Sequence, residues 1–235
     1  MATLLDLVQQ LRLRLDDTGG DTGTPPTGYT FYHEYDDSGC LWGNAELTRL
    51  LNEAETEFCR RVPICDATTF RVQTVPGTAV YELDPVILAV ERVYSATQQR
   101  ALRKTFHEAN DQCPAFFTAT RYQESLHDHH LMILGTPTTV ETLQLTVRRL
   151  PLEPLLWADR KTQEPEILAP WHYALIDYAA HLAWLKNDAD TLSLERSVAA
   201  LQVFDRLVGQ PRSAQELAWV KTLSNRRPRA VPQYL

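Results

Sequence analysis

Long hydrophobic runs are missing from this chain. No stretch of its 235 residues approaches the roughly 18 consecutive apolar residues that a membrane span needs, so no membrane-spanning helix is expected. The N-terminal segment from Met1 to Asp16 alternates apolar and polar residues and includes Asp6. It therefore lacks the basic start and apolar block of a secretory signal peptide, and synthesis in the cytoplasm is expected. Cysteine is scarce. Cys40, Cys59, Cys65 and Cys113 form no CxxC pair and match no zinc spacing, which leaves free, mostly buried thiols as the expectation. The signatures of nucleotide binding and hydrolysis are absent too: there is no GxGxxG, no GxxxxGK[ST], no HExxH and no GxSxG. No enzymatic activity and no cofactor are expected on these grounds.

The chain does have enough apolar material, 44% of its residues, for one full core or two small ones. Its charge is unevenly placed. Residues 1–208 carry 18 basic and 29 acidic side chains, a net −11, whereas residues 209–235 carry 5 basic and 1 acidic, a net +4. An acidic body with a basic, proline-containing tail suggests a tail that docks on an acidic partner. A loose chain end with incidental arginines is the plainer alternative.

Apolar periodicity divides the chain. Leu4, Leu5, Leu7, Val8, Leu11 and Leu15 recur at helical spacing, so residues 3–16 read as an amphipathic helix with Thr3 and Asp6 as a capping box and Gly19-Gly20 as its end. Residues 17–41 are too rich in glycine and proline for a regular element and hold alternating aromatics. Residues 43–62 form the clearest helix, with Asn44 as N-cap, Leu47, Leu50, Leu51, Ala54, Phe58 and Val62 on one face, and Pro63 as its stop. A β-rich stretch of about seven short strands follows: 68–75, 79–83, 86–94, 98–102, 116–123, 131–134 and 142–150, with a short helix at 105–111. The proline-rich segment 151–170 reads as extended. Helices return at 171–186 and at 190–208, the second with Leu194, Val198, Leu201 and Phe204 or Val203 on one face and Gly209 as its stop. A further helix is expected at 213–223.

The fold class expected is α+β: an antiparallel bundle of about four helices with an inserted β-rich domain and an extended C-terminal tail. The divisions are 1–66 for the N-terminal helices and long loop, 67–150 for the β insertion, 151–208 for the crossing segment and C-terminal helices, and 209–235 for the tail.

Candidate sites are few. His127, Asp128, His129 and His130, with His107 nearby, are suitable metal ligands by type, but adjacent residues in an extended segment point alternately to opposite sides. A polar hairpin turn is the expectation there. His33, Glu34, Asp36 and Asp37 lack the spacing of a calcium loop. His172 and His181 lie nine residues apart, 2.5 helical turns, and would face opposite ways. Arg226, Arg227 and Arg229 suit a carboxylate-bearing protein surface better than duplex DNA, given the acidic body. The terminal Tyr234 and Leu235 gain most if a partner buries them.

The residues LWGNAELTRLLNEAETEFCRRV and DATTFRVQTVPGTAVYELDPVILAVERV, running from Leu41 to Val93, together with LLDLVQQLRLRLDD before them and EPEILAPWHYALIDYAAHLAW after, resemble the head-to-tail connector, or portal adaptor, family of tailed bacteriophages. The likeness spans most of residues 1–208 and rests on the order and spacing of these segments. It implies a structural virion protein of the neck: a ring, usually of twelve copies, beneath the portal protein, joining capsid to tail proteins and surrounding a channel in transient contact with viral DNA. Arg226, Arg227, Arg229, Tyr234 and Leu235 are the expected portal contact. Tyr29, Phe31, Tyr32 and Tyr35 are the expected tail-side or inter-subunit loop. The competing readings are a nucleic-acid-binding module using the basic tail, a metal-dependent enzyme centred on His127 to His130, and another neck or tail structural protein.

Overall fold

The computed structural model describes residues 2–17, 37, 39–104, 121–125, 129–134, 137–187 and 191–211. Four helices are present among them: α1 (Leu4–Leu15), α2 (Asn44–Arg61), α3 (Ala174–Ala183) and α4 (Leu194–Val208). Nine short strands lie between α2 and α3 in the chain: β1 (Ile64–Asp66), β2 (Arg71–Gln73), β3 (Val80–Glu82), β4 (Ile87–Ser95), β5 (Arg100–Ala101), β6 (Arg103–Lys104), β7 (Arg121–Ser125), β8 (His130–Leu134) and β9 (Thr142–Arg149). The protein is α+β, with its sheets antiparallel except for the parallel β6–β7 pair.

Capping chemistry sets where α1 begins and ends. The Thr3 hydroxyl accepts the Asp6 N–H while the Asp6 carboxylate accepts the Thr3 N–H, so two of the orphan donors at the helix start are satisfied. The helix stops earlier than the glycines suggest. Asp16 turns left-handed at φ 59° and its N–H returns to the Arg12 and Leu13 carbonyls, a conformation that aspartate tolerates better than most residues. At α2 the N-cap is Gly43 rather than Asn44. Asn44 is already helical, and its side-chain oxygen accepts from Arg12 instead of capping its own helix.

One apolar core joins the helices. Leu4, Leu7, Leu11 and Leu15 of α1 meet Leu47, Leu51 and Phe58 of α2, Leu175 and Ala179 of α3, and Ala200 and Phe204 of α4. Trp42 and Trp184 close it with an edge-to-face contact, ring centroids 5.4 Å apart. On α4 the buried face is Ser197, Ala200 and Phe204; Leu194 and Val198, expected inside, are 64% and 51% exposed. α3 starts three residues later than expected, because a 3₁₀ turn at Ala169–Trp171 with Pro170 at its start precedes it.

A second core lies between two sheets. One has the order β1-β9-β4-β5 with β2 also on β9; the other runs β3-β8-β7-β6. Val90, Val93, Leu143, Leu145 and Val147 from the first sheet meet Tyr122, Leu131 and Ile133 from the second. The expected strand 68–75 shrinks to Arg71–Gln73 because the Asp66 carboxylate accepts the Thr68 and Thr69 N–H groups and holds a turn there. The expected strand 98–102 shrinks to Arg100–Ala101, and Leu102 after it is buried in the core between β5 and β6. Of the thiols described, Cys59 is buried, Cys40 is half-buried and Cys65 is exposed, so burial of most of them is not found. The helices expected at 105–111 and 213–223, and most of the strand at 116–123, lie outside the described residues.

Candidate interaction surfaces

Two charged networks fix the ends of the segments that connect the layers. The first closes the base of the 18–36 segment. Arg12, on α1 but only 1% exposed, donates to the Asp17 carboxylate at 2.7 Å, to the Trp42 carbonyl at 2.8 Å and to Asn44 Oδ1 at 2.9 Å. Asp17 in turn accepts the Leu41 and Trp42 N–H groups at 2.8 and 3.2 Å. Asp37 accepts the Asn44 N–H. The chain leaving α1 and the chain entering α2 are thereby tied together, whatever lies between them. Tyr29, Phe31, Tyr32 and Tyr35, the expected loop contacts, lie outside the described residues, as do His33, Glu34 and Asp36.

The second network joins α2, the first sheet and the crossing segment. Arg149 donates from Nε to Asp66 at 2.9 Å and from Nη1 to Glu166 and to the Leu150 carbonyl. Glu166 also accepts the Leu152 and Glu153 N–H groups. Burial pushes Asp66 and Glu166 upward, but Thr68, Thr69 and Arg149 outweigh it at Asp66, and Arg149 with the two backbone donors outweighs it at Glu166; both carboxyls are held below their usual range. Glu55, 1% exposed on α2, has no such rescue. Burial raises its pKa to about 7 even though it accepts backbone N–H groups from Glu166 and Ile167. Burial likewise raises the neighbouring Cys59 thiol to about 12, with help from the two glutamates, so it is no nucleophile at neutral pH.

His172 and His181 tie separate parts of the helical layer together. His172 Nδ1 lies 3.2 Å from the Ala2 carbonyl and Nε2 lies 2.9 Å from the Ile167 carbonyl, which fastens the chain start to the turn before α3. His181 Nδ1 sits 2.8 Å from Ser197 Oγ and links α3 to α4. His130 is in β8 opposite Glu82 of β3, and His129 precedes it with φ 49°; His107, His127 and Asp128 lie outside the described residues. Among the described residues no group of three His, Cys, Asp or Glu side chains is placed to hold a metal ion, and no helix is long and apolar enough to cross a membrane.

Two surfaces stand out. On α4, Leu194 and Val198, four residues apart, form an exposed apolar stripe beside the buried face. The same helix leads to the tail. At its end Arg61 Nη1 donates to Asp205 at 2.6 Å and to the Gly209 carbonyl at 2.7 Å, and its guanidinium stacks on Phe204. Arg226, Arg227, Arg229, Tyr234 and Leu235 follow beyond the described residues.

The other surface is the outer face of the five-stranded sheet, which reading along the sequence missed. On β9, Leu143, Leu145 and Val147 point into the core, so Thr142, Gln144, Thr146 and Arg148 point out. Arg71 and Tyr94 both pair with Gln144, and Arg92 pairs with Thr146, which places Arg71, Tyr94 and Arg92 on that outer face. Arg103, one residue past the buried Leu102, belongs to β6 of the other sheet. Arg71, Arg92 and Arg148 are 21 and 56 residues apart in sequence. Alternation within each strand signals which side a residue takes, but only the register across strands gathers the three together.

No curated protein is matched by the sequence. The sequence does match the SU10 adaptor protein family, over residues 2–229. That range holds every helix and strand described above, both networks and the outer sheet face. The chain therefore belongs to the SU10 adaptor protein family and is a phage structural adaptor that works in contact with other virion proteins.

Proposed function

We propose that this protein assembles as a ring of about twelve copies beneath the portal, joins capsid to tail proteins, and surrounds the channel through which DNA passes. Its role is structural, not catalytic. The observation that carries this reading is family membership across nearly the whole chain. The division of labour within the chain supports it. In this reading the helical layer is a bundle, the 67–150 region is an inserted β module, and the basic tail after α4 reaches the portal through Arg226, Arg227, Arg229, Tyr234 and Leu235. Tyr29, Phe31, Tyr32 and Tyr35 contact tail-side proteins or a neighbouring copy. Two physical features favour an assembling protein. The stripe of Leu194 and Val198 is apolar surface that a solitary chain leaves in water. The net −11 of residues 1–208 keeps DNA from sticking to a channel wall built from them.

The test is co-purification with the portal protein encoded beside the gene, followed by imaging, using the full chain and a chain ended after Pro211. Rings under the portal that need residues 212–235 are the expected result. Equal docking by the shortened chain removes the tail assignment. No association by either chain removes the portal-adaptor reading and leaves another position in the neck or tail.

A further inference from the structure

Within residues 67–150 positive and negative charge balance, eight basic against eight acidic side chains, but the structure separates them. Arg71, Arg92 and Arg148 share the outer face of the five-stranded sheet. The described carboxylates lie elsewhere. Glu141 is buried and bound to Ser95 and Gln98, Glu82 is on the other sheet, and Asp84 holds the turn before β4 by accepting the Val86 N–H. Glu91 alone among the described residues meets the arginine face, through Arg148 at 2.7 Å, and both side chains stay about half exposed. Such an exposed pair is weak. Tyr94 lies under the Arg92 guanidinium, 5.8 Å from ring centroid to carbon, giving that face an aromatic contact as well. The face also carries the uncharged Cys65, Gln73, Thr142, Gln144 and Thr146.

The remainder of the body is the reverse. Residues 1–66 and 151–208 carry 10 basic and 21 acidic side chains, a net −11. Copies of so acidic a layer repel one another when brought side by side. A basic face on the same molecule removes that penalty if it is turned toward the acidic layer of the next copy.

We propose that the outer face of the β1-β9-β4-β5 sheet, with Arg71, Arg92 and Arg148, is one half of the contact between neighbouring copies, and that its occupant is the acidic helical layer of a second copy of this chain. The contact is heterologous: a different surface is used on each side, so it repeats around a ring instead of closing at two copies. Duplex DNA is the less favoured occupant, because the net charge of −7 opposes approach of a polyanion at long range. This inference rests on the ring reading and names the surface that makes the ring.

The experiment measures the mass distribution of the full-length chain in solution, alone and bound to the portal, over a range of salt. It compares the natural chain with Arg71→Glu/Arg92→Glu and with Arg71→Lys/Arg92→Lys, all checked by thermal melting. Copies should associate in the natural chain, and association should weaken as salt rises. The glutamate pair should weaken it about ten-fold or more, with melting unchanged. The lysine pair should largely keep it. Undiminished copy number in the glutamate pair overturns the proposal, as does association of the natural chain that salt does not touch; the latter measurement needs no substitution, so it decides the matter even if the glutamate pair misfolds. Tight, salt-sensitive binding of a labelled duplex that the glutamate pair loses while copy number holds also overturns it, and assigns the face to phosphate. A chain that associates with itself through this face yet ignores the portal leaves the face proposal standing and removes the portal reading alone.

Discussion

The Arg12 guanidinium and the Asp17 carboxylate meet at 2.7 Å with side chains 1% and 2% exposed. A buried ion pair adds little by itself, because desolvation of both charges offsets their attraction. Here each partner is also bound to the backbone at the start of α2, so the pair sets where the chain re-enters the helical layer after residues 18–36. Removing one member leaves the other buried and uncompensated. Arg12→Met should cost about 3 kcal/mol, near the low end for such losses because Asp17 keeps the Leu41 and Trp42 donors. For a chain of this size the melting temperature should fall by roughly 6–12 °C. A thermal melt checks this, and a fall under about 2 °C would show that the pair is dispensable.

Glu55 gives the protein a pH dependence near neutrality. Its pKa lies at about 7 in the folded chain and near 4.5 without the fold. Between these values the native state binds more protons than the unfolded state, so stability declines as pH rises. The contribution is fully present below about 4.5 and lost above about 7, and amounts to about 3 kcal/mol across that window. Asp66 and Glu166 act with the opposite sign, but both are depressed, so their effect appears only on acidification below the window. Glu55→Gln keeps an oxygen for the Glu166 and Ile167 N–H groups and cannot ionise. Its melting temperature should be flat from pH 5 to 8 and should exceed that of the natural chain at pH 8. Parallel melting curves for the two proteins across that range would contradict this account.

What the sequence made legible follows from which interactions are local. The capping box at Thr3 and Asp6, the apolar faces of α1 and α2 and the glycine at the end of α4 depend on residues within a few positions of one another, and each is found except that Val62, expected on the α2 face, lies past the helix end and is exposed. The N-cap of α2 was misread because Asn44 is claimed by Arg12, 32 residues away. The strand after Asp66 was overextended for a similar reason. Asp66 looks like an ordinary polar residue until Arg149, 83 positions on, holds it in place beside the turn. The arginine face shows the limit most clearly. Arg71, Arg92 and Arg148 are unremarkable singly, and their grouping depends on a register that no single strand encodes. The residues expected to meet the portal and the tail, in the loop and at the C-terminus, fall outside the described part of the chain.

Where the tail is cut decides what a truncation measures. Arg61 is bound through Nη1 to both Asp205 and the Gly209 carbonyl, and its guanidinium covers Phe204. A chain ended after Val208 loses the Gly209 acceptor and places a new carboxylate beside Asp205. A chain ended after Pro211 keeps the bond. The shorter chain should therefore melt lower, by an amount matching about 1 kcal/mol, while the chain ended after Pro211 should melt within about 1 °C of the full protein, a surface-sized effect. Equal melting of all three would remove Gly209 from the account of how α4 is finished.

α4 separates packing from apolar periodicity. Spacing alone groups Leu194, Val198 and Leu201 with Phe204, yet the face that meets α3 is Ser197, Ala200 and Phe204, and Ser197 is there because its hydroxyl bonds His181. The consequences for substitution are opposite on the two faces. Phe204→Ala removes a fully buried ring that touches Tyr178 and Arg61, and should cost about 3–5 kcal/mol. Leu194→Gln/Val198→Gln changes side chains that are more than half exposed, and should alter stability by less than about 0.5 kcal/mol. The glutamine pair becomes informative in the complex. If apolar surface here is covered by a neighbouring copy or by another virion protein, the pair should retain its melting temperature while its recovery with the portal drops. Unchanged recovery with unchanged melting would place these residues on free surface in the assembled particle. A large loss of stability in the glutamine pair would instead mean that α4 packs on the face its periodicity suggests.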